Sequence, residues 1–120
     1  MTAPNLRNPT TITGKTARTG ITTTAVVGIL TNSAASGKAL KINSIFAANV
    51  NGSTSSSISI SIYNGSSDTY LCKTISVPAN ATQVVSTKEN YFYLEEGDSI
   101  RATASTANDI NVVVGYEDIS

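Results

Sequence analysis

The 120-residue sequence contains no histidine, no tryptophan and a single cysteine, Cys72. Without histidine, one chain cannot build a Ser-His-Asp triad, a Cys-His pair or a histidine-ligated zinc site. A lone cysteine forms neither an internal disulfide nor a CxxC redox pair, and Cys72 is expected to be a small buried apolar side chain. We therefore expect no catalytic residues, no metal and no cofactor, and the protein is not expected to be an enzyme.

Long apolar runs are also missing. No stretch approaches the roughly 18 residues of a membrane-spanning helix, so no membrane partner is expected. Residues 1–8 contain no apolar core of a secretory signal, which favours synthesis and assembly in a cytoplasm. The basic residues are few and are not interleaved with aromatic ones, so we expect no nucleic-acid partner.

The formal net charge is zero, but the charges are unevenly distributed along the chain. Residues 1–67 carry five basic residues and no acidic one, whereas residues 68–120 carry eight acidic and three basic residues. Two interpretations remain open. The two halves neutralise each other within one fold, or the basic N-terminal segment docks on an acidic surface of a neighbouring molecule.

The residues that are abundant favour β-structure. Ile and Val suit a pleated, half-buried surface, and the many Ser, Thr and Asn residues suit turns and exposed strand positions. Residues 57–63, SISISIY, alternate strictly and predict a strand with the isoleucines facing a core. In the extended run 38–50, Leu40, Ile42 and Phe46 share one parity, but Ile45 breaks the alternation, which predicts a bend, a bulge or a second buried face there.

Turn signals every 8–12 residues separate about eight short strand candidates, which predicts an all-β, jelly-roll-like β-sandwich. Residues 1–20 hold two of the three prolines and few large apolar side chains. We therefore predict an extended N-terminal arm over residues 1–20 and a single sandwich domain over residues 21–120.

Three local patterns could carry chemistry. Gly14-Lys15-Thr16 resembles the end of a phosphate-binding loop, but the position that requires glycine is Pro9, which lacks the N–H that would bind a phosphate. The acidic cluster around Gly97 (Glu95, Glu96, Asp98) is either a solvated turn or a calcium site, and its spacing fits no EF-hand. Alternation in Tyr91-Phe92-Tyr93 predicts one side in the core and the other at the surface, with an interface as one possibility.

Four phrases of the sequence resemble a known family: NPTTITGKTA, SGKALKINSIFAANVNG, IYNGSSDTYLCKTISVPANA, and YLEEGDSIRATAS with the closing VVVGYEDIS. They are similar to small virion structural proteins of tailed phages, especially marine cyanophages. The resemblance covers nearly the whole chain and implies a β-sandwich subunit of the virion, assembled in the host cytoplasm. A capsid decoration (cement) role is favoured, with a neck, tail or fibre-attachment role as the competitor.

These expectations lead to a predicted binding segment. The major capsid protein or another virion protein would bind the N-terminal arm, and the candidate partner-binding residues are Leu6, Arg7, Ile12, Lys15 and Arg18. A closed homo-oligomer, a trimer or a dimer, is expected on a particle. The alternative from another class is a host-surface carbohydrate-binding module that uses tyrosine and asparagine side chains, although the absence of tryptophan disfavours it.

Overall fold

A computed structural model describes residues 6–120 of the chain. This part is almost entirely β-structure, with one short 3-10 turn at Lys88–Asn90. Its nine strands are β1 (Ile12–Gly20), β2 (Val27–Thr31), β3 (Ala39–Asn49), β4 (Ser56–Tyr63), β5 (Asp68–Val77), β6 (Thr82–Ser86), β7 (Phe92–Leu94), β8 (Ser99–Ala104) and β9 (Ile110–Ile119).

The strands form two antiparallel sheets, which confirms the predicted all-β class and agrees with a β-sandwich. Sheet I has the order β1-β9-β3-β6, and β7 also pairs with β3. Sheet II has the order β2-β8-β4-β5. The sequence predicts about eight strands and the described residues contain nine, because β6 and β7 pair with successive stretches of the same strand, β3.

The core lies between the two sheets and follows from the period-2 pattern. Ile58 and Ile60 of β4 are fully buried, as are Val112 and Val114 of β9. These side chains belong to one continuous apolar cluster that draws on both sheets. Cys72 is half-buried against that cluster as a free thiol, and burial raises the pKa of this thiol.

The break in alternation at Ile45 corresponds to a bulge in β3, which is one of the three alternatives that the sequence left open. The register of β3 against β9 shifts between Ile42 and Ser44. Beyond the bulge, Ile45 is fully buried while Phe46 is exposed. The expectation that Phe46 shares the core face of Ile42 is therefore wrong, because the extra residue exchanges the two faces.

The predicted arm is partly a strand. Its residues 1–5 lie outside the described residues, but β1 pairs with β9 at nine register positions from Ile12↔Ile119 to Gly20↔Asn111. The few apolar residues of this segment gave no indication that it pairs with β9, because β1 is held mainly by backbone hydrogen bonds at the edge of sheet I. The division of the chain at residue 20 stays a prediction.

Candidate binding surfaces

The N-terminal segment exposes the two apolar residues that were singled out in the sequence. Leu6 lies in the turn before β1 and is 45% exposed, and Ile12 at the start of β1 is 57% exposed. The backbone N–H groups of Thr10 and Thr11 both donate to the carbonyl oxygen of Ser120, at 2.7 and 2.9 Å. This segment is therefore attached to the C-terminal end of β9 while it presents apolar side chains to solvent.

The five predicted binding residues do not form one cluster. Ile12 and Arg18 have the same parity in β1, whereas Lys15 has the opposite parity and therefore points to the other side of sheet I. Six residues of strand separate Ile12 from Arg18, which is roughly 20 Å. Leu6 and the exposed Arg7 precede the strand. The candidates thus divide between the turn, the outer side of β1 and its inner side.

Lys15 lies in an ion-pair cluster. Its Nζ donates to Asp118 Oδ2 at 3.0 Å, and Lys38 Nζ donates to the same oxygen at 3.2 Å. Burial alone would raise the pKa of Asp118, but the hydrogen bonds and charges of the two lysines outweigh it and hold the pKa below its usual value. The hydrogen bond and charge of Asp118 raise the pKa of Lys15. Lys15 is thus engaged within the fold.

The uneven charge along the sequence is largely compensated across sheet I. Strand β9 carries Glu117 and Asp118 and lies between β1 and β3. Asp118 pairs with Lys15 and Lys38, and Glu117 lies 3.8 Å from Lys41 Nζ. Of the two interpretations, mutual neutralisation accounts for at least three of the five N-terminal basic residues, Lys15, Lys38 and Lys41.

Replacing Asp118 with asparagine is expected to lower the free energy of unfolding at pH 7 by roughly 1 kcal/mol, since both lysines are partly exposed. The folded-state pKa of Asp118 is depressed, so its stabilisation is fully present above the unfolded pKa of about 4. This stabilisation is lost as the pH falls through the lower folded value. Thermal unfolding between pH 2 and 7 would test this. A variant whose stability loss is the same at pH 2 as at pH 7 would contradict it.

The outer face of sheet I, meaning the side turned away from the core, carries a transverse apolar row. Register places Arg18, Val113, Phe46 and Val84 side by side on four adjacent strands. Phe46 and Val84 are exposed and Val113 is half-buried. Exposed apolar side chains that adjoin one another in this way indicate a contact surface more than scattered ones do.

A second row of the same face joins aromatic and charged groups. Register aligns Gly14, Glu117, Lys41 and Tyr93 across β1, β9, β3 and β7. Lys41 Nζ lies 4.2 Å from the centre of the Tyr91 ring, which packs edge-on against Tyr93 at 5.9 Å. As the sequence predicts, Phe92 packs on the core while both tyrosines are exposed.

The outer side of sheet II is mostly polar on β4 and β8, whereas β5 exposes Tyr70 and Leu71. It presents hydroxyl groups of Ser57, Ser59 and Thr103, the last two of which are cross-strand neighbours. Arg101 forms a two-point ion pair with Asp68, whose shorter bond is 2.7 Å, and it stacks on the Tyr63 ring at 3.7 Å. The hydrogen bond from Arg101 is the main cause of the lowered pKa of Asp68.

The remaining sequence patterns lie in strand and turn positions of the described residues. Gly14-Lys15-Thr16 lies within strand β1, where no phosphate-binding loop precedes a helix. Glu96 accepts a hydrogen bond from the backbone N–H of Gly37 at 3.2 Å, and no group of three His, Cys, Asp or Glu residues within residues 6–120 is placed to hold a metal. The same residues include no helix long and apolar enough to cross a bilayer.

The cavities are shallow. One of about 300 Å³ lies on β1 and β9 beside Arg18 and Val113, and another of about 160 Å³ adjoins the Asp118 cluster. Small-molecule sites begin at about 300 Å³ and are usually concave and enclosed.

Comparison with known proteins supports the fold. No protein-family profile matches the sequence, and no curated protein sequence matches it. Among solved structures, the chain is similar to one in the "Acidic stable capsid structure of Helicobacter pylori bacteriophage KHP30", with a TM-score of 0.52 and 12% sequence identity. The similarity covers 94% of this chain and 90% of that one. At this identity the two chains share a fold.

Proposed function

We propose that this protein is a structural component of a phage virion. The observation that carries the proposal is the shared fold with a chain of a phage capsid structure, which extends over nearly all of both chains. The strand order adds support, since β1-β9-β3-β6 faces β2-β8-β4-β5 and both sheets are antiparallel. We interpret this order as a jelly roll, an architecture found in viral capsid domains.

Within the virion, we assign the chain to capsid decoration. The supporting features are a single small sandwich whose cavities in residues 6–120 are open and shallow, and a turn and edge strand that expose Leu6 and Ile12. Such a protein binds the major capsid protein and stabilises the head by bridging its subunits. It acts without catalysis or cofactor, and it assembles as a closed homo-oligomer.

Quantitative mass spectrometry of purified particles, with antibody labelling of the purified chain, tests the virion role. We expect the protein in every particle, at hundreds of copies and on the head. About a dozen copies at one vertex or on the tail would instead support the neck or tail role. Absence from particles would reject a virion role altogether.

The contact with the capsid can be tested by point substitutions in the N-terminal segment. We expect the double variant Leu6→Asp, Ile12→Asp to lose about tenfold or more in affinity for particles, because burying two charges at an apolar contact is costly. Both side chains are exposed, so the thermal stability of the isolated protein should change little.

Deleting residues 1–20 is a poorer test, because it would also remove β1 and the Lys15–Asp118 ion pair from sheet I. The matched control is Val26→Asp, which changes an exposed apolar residue outside the N-terminal segment. Unchanged particle binding by the double variant would contradict this assignment, as would equal loss in the control.

A further inference from the structure

We propose that the outer face of sheet I is a two-fold interface between two copies of this chain. The face is apolar in one row and charged in another, and both rows follow from strand register. In the apolar row, Val113 of β9 lies beside Phe46 of β3. In the charged row, Glu117 of β9 lies beside Lys41 of β3. This row is further along β9 than the apolar row, on the other side of Gly115.

These rows are self-complementary about one particular axis. A two-fold axis that lies in the face between β9 and β3, nearly parallel to them, places β9 of each copy over β3 of the other. Val113 then meets Phe46 of the second copy, and Glu117 meets Lys41 of the second copy. A two-fold interface requires this kind of matching, in which residue i contacts j and j contacts i.

The outer strands match about the same axis. Strand β1 of one copy lies over β6 and β7 of the other, so Gly14 meets Tyr93 and Arg18 meets Val84. A side chain at Gly14 would have open space, because no atom lies within 4 Å of the position that its Cβ would take. The exposed Tyr93 ring would occupy that space. The stem of Arg18 would cover Val84 while its guanidinium stays at the rim.

The area of the face sets the expected strength. Four strand positions spaced about 4.8 Å apart and the seven residues from Gly14 to Gly20, at about 3.3 Å each, give roughly 450 Å² for each copy and leave Ile12 outside the interface. Stable interfaces bury about 800 Å² for each partner. The face is smaller than that of a typical stable dimer, so we expect a weak dimer whose population rises with protein concentration.

This proposal does not depend on a virion role, since it concerns the purified chain alone. Sedimentation equilibrium should show a concentration-dependent dimer for the wild type. Gly14→Val should weaken dimerisation about tenfold or more, because the added side chain would collide with Tyr93 of the second copy. The control is Gly28→Val, the same substitution at an equally open glycine on the outer face of sheet II.

A charge exchange distinguishes contact between copies from effects within one copy. Lys41→Glu gives a chain with two acidic groups at this site, and Glu117→Lys gives one with two basic groups. Each variant alone should be monomeric, because like charges would meet across the axis. An equimolar mixture should form a 1:1 heterodimer, since every contact across the axis is then between opposite charges. Repulsion within each chain is the same in the mixture, so it cannot account for that result.

Three outcomes would overturn the proposal. The first is a wild-type chain that stays monomeric at about 1 mM, where even a millimolar association would be visible. The second is a dimer that Gly14→Val and Gly28→Val affect equally. The third is a mixture of the two charge variants that remains monomeric while both variants are folded by circular dichroism. Any of these would assign the face to a different protein or to solvent.

Discussion

Asn49→Ala is expected to lower the free energy of unfolding by about 3 kcal/mol, a large effect for a polar residue. Asn49 ends β3 and is 2% exposed. Its Nδ2 donates to the carbonyl oxygens of Val77 at 2.9 Å and Thr54 at 3.0 Å, and its Oδ1 accepts from the backbone N–H of Asn51 at 2.9 Å. Alanine would leave the buried carbonyl of Val77 and two part-buried backbone groups without these partners, and an unpaired buried group costs about 1–3 kcal/mol.

The structural reason for the size of this effect is that Asn49 connects separate parts of the fold. It joins the end of β3 in sheet I to the end of β5 in sheet II and to the loop that precedes β4. Asn32 does the same beyond the other end of β3, where its Nδ2 donates to the carbonyl oxygens of Lys38 and Leu94 at 3.0 and 2.9 Å. Asn32→Ala should therefore show a loss of similar size.

Urea unfolding followed by circular dichroism measures this prediction. For Asn49→Ala, the urea concentration at the midpoint of unfolding should fall while the dependence of the unfolding free energy on urea concentration stays unchanged. The melting temperature should fall by about 10 °C. Asn64→Ala is the matched control. The Asn64 side chain also accepts backbone hydrogen bonds, from Ser66 and Ser67, but in an exposed turn, so its loss should cost less than about 1 kcal/mol. Equal losses in the two variants would contradict the role of burial.

Ile60→Ala is expected to cost about 2–5 kcal/mol, the range for truncating a buried isoleucine. Ile60 is fully buried in the middle of β4, where register places it between Ala102 of β8 and Cys72 of β5. Small neighbours on both sides cannot expand to fill the space, so a cavity should remain in addition to the lost burial.

Alternation in β4 supplies the control. Ser57 belongs to the same SISISIY segment but has the opposite parity and is half-buried on the outer side. Ser57→Ala should change the free energy of unfolding by about 0.5 kcal/mol or less. Chemical unfolding of Ile60→Ala and Ser57→Ala measures the difference between their free energies of unfolding. The dependence of this free energy on denaturant concentration should be the same for both variants. A loss below about 1 kcal/mol for Ile60→Ala would show that this strand does not pack as the structure has it.

Local pattern alone was sufficient for the class of fold and for the presence of an irregularity in β3. The alternating isoleucines of β4 predict a one-sided strand, and Ile45 predicts the break in β3, because side-chain direction in a strand depends only on counting by two. The same alternation would also have predicted that Phe46 is exposed if the bulge had been placed before Ile45. The surface position of Tyr91 and Tyr93 around Phe92 follows in the same way.

The candidate binding surface was harder to predict from the sequence than the fold was. Of the predicted binding residues, Leu6 and Ile12 are exposed as a contact requires, but Lys15 pairs with Asp118 more than 100 positions away. Nothing near Lys15 in the chain indicates that pairing, because it depends on β9 lying beside β1. The outer face of sheet I was missed for the same reason, since its rows combine residues from four strands.

The chain's own order of residues therefore settles which segments are strands and which side of most strands is apolar, since both depend on neighbours one or two positions apart. Only the packed structure decides which strands become neighbours. That choice turns N-terminal lysines and C-terminal carboxylates into ion pairs, makes Asn49 a buried connector, and aligns Val113 with Phe46 and Glu117 with Lys41 on one face. These contacts join distant parts of the chain, and their free energies arise only when the two sheets have assembled.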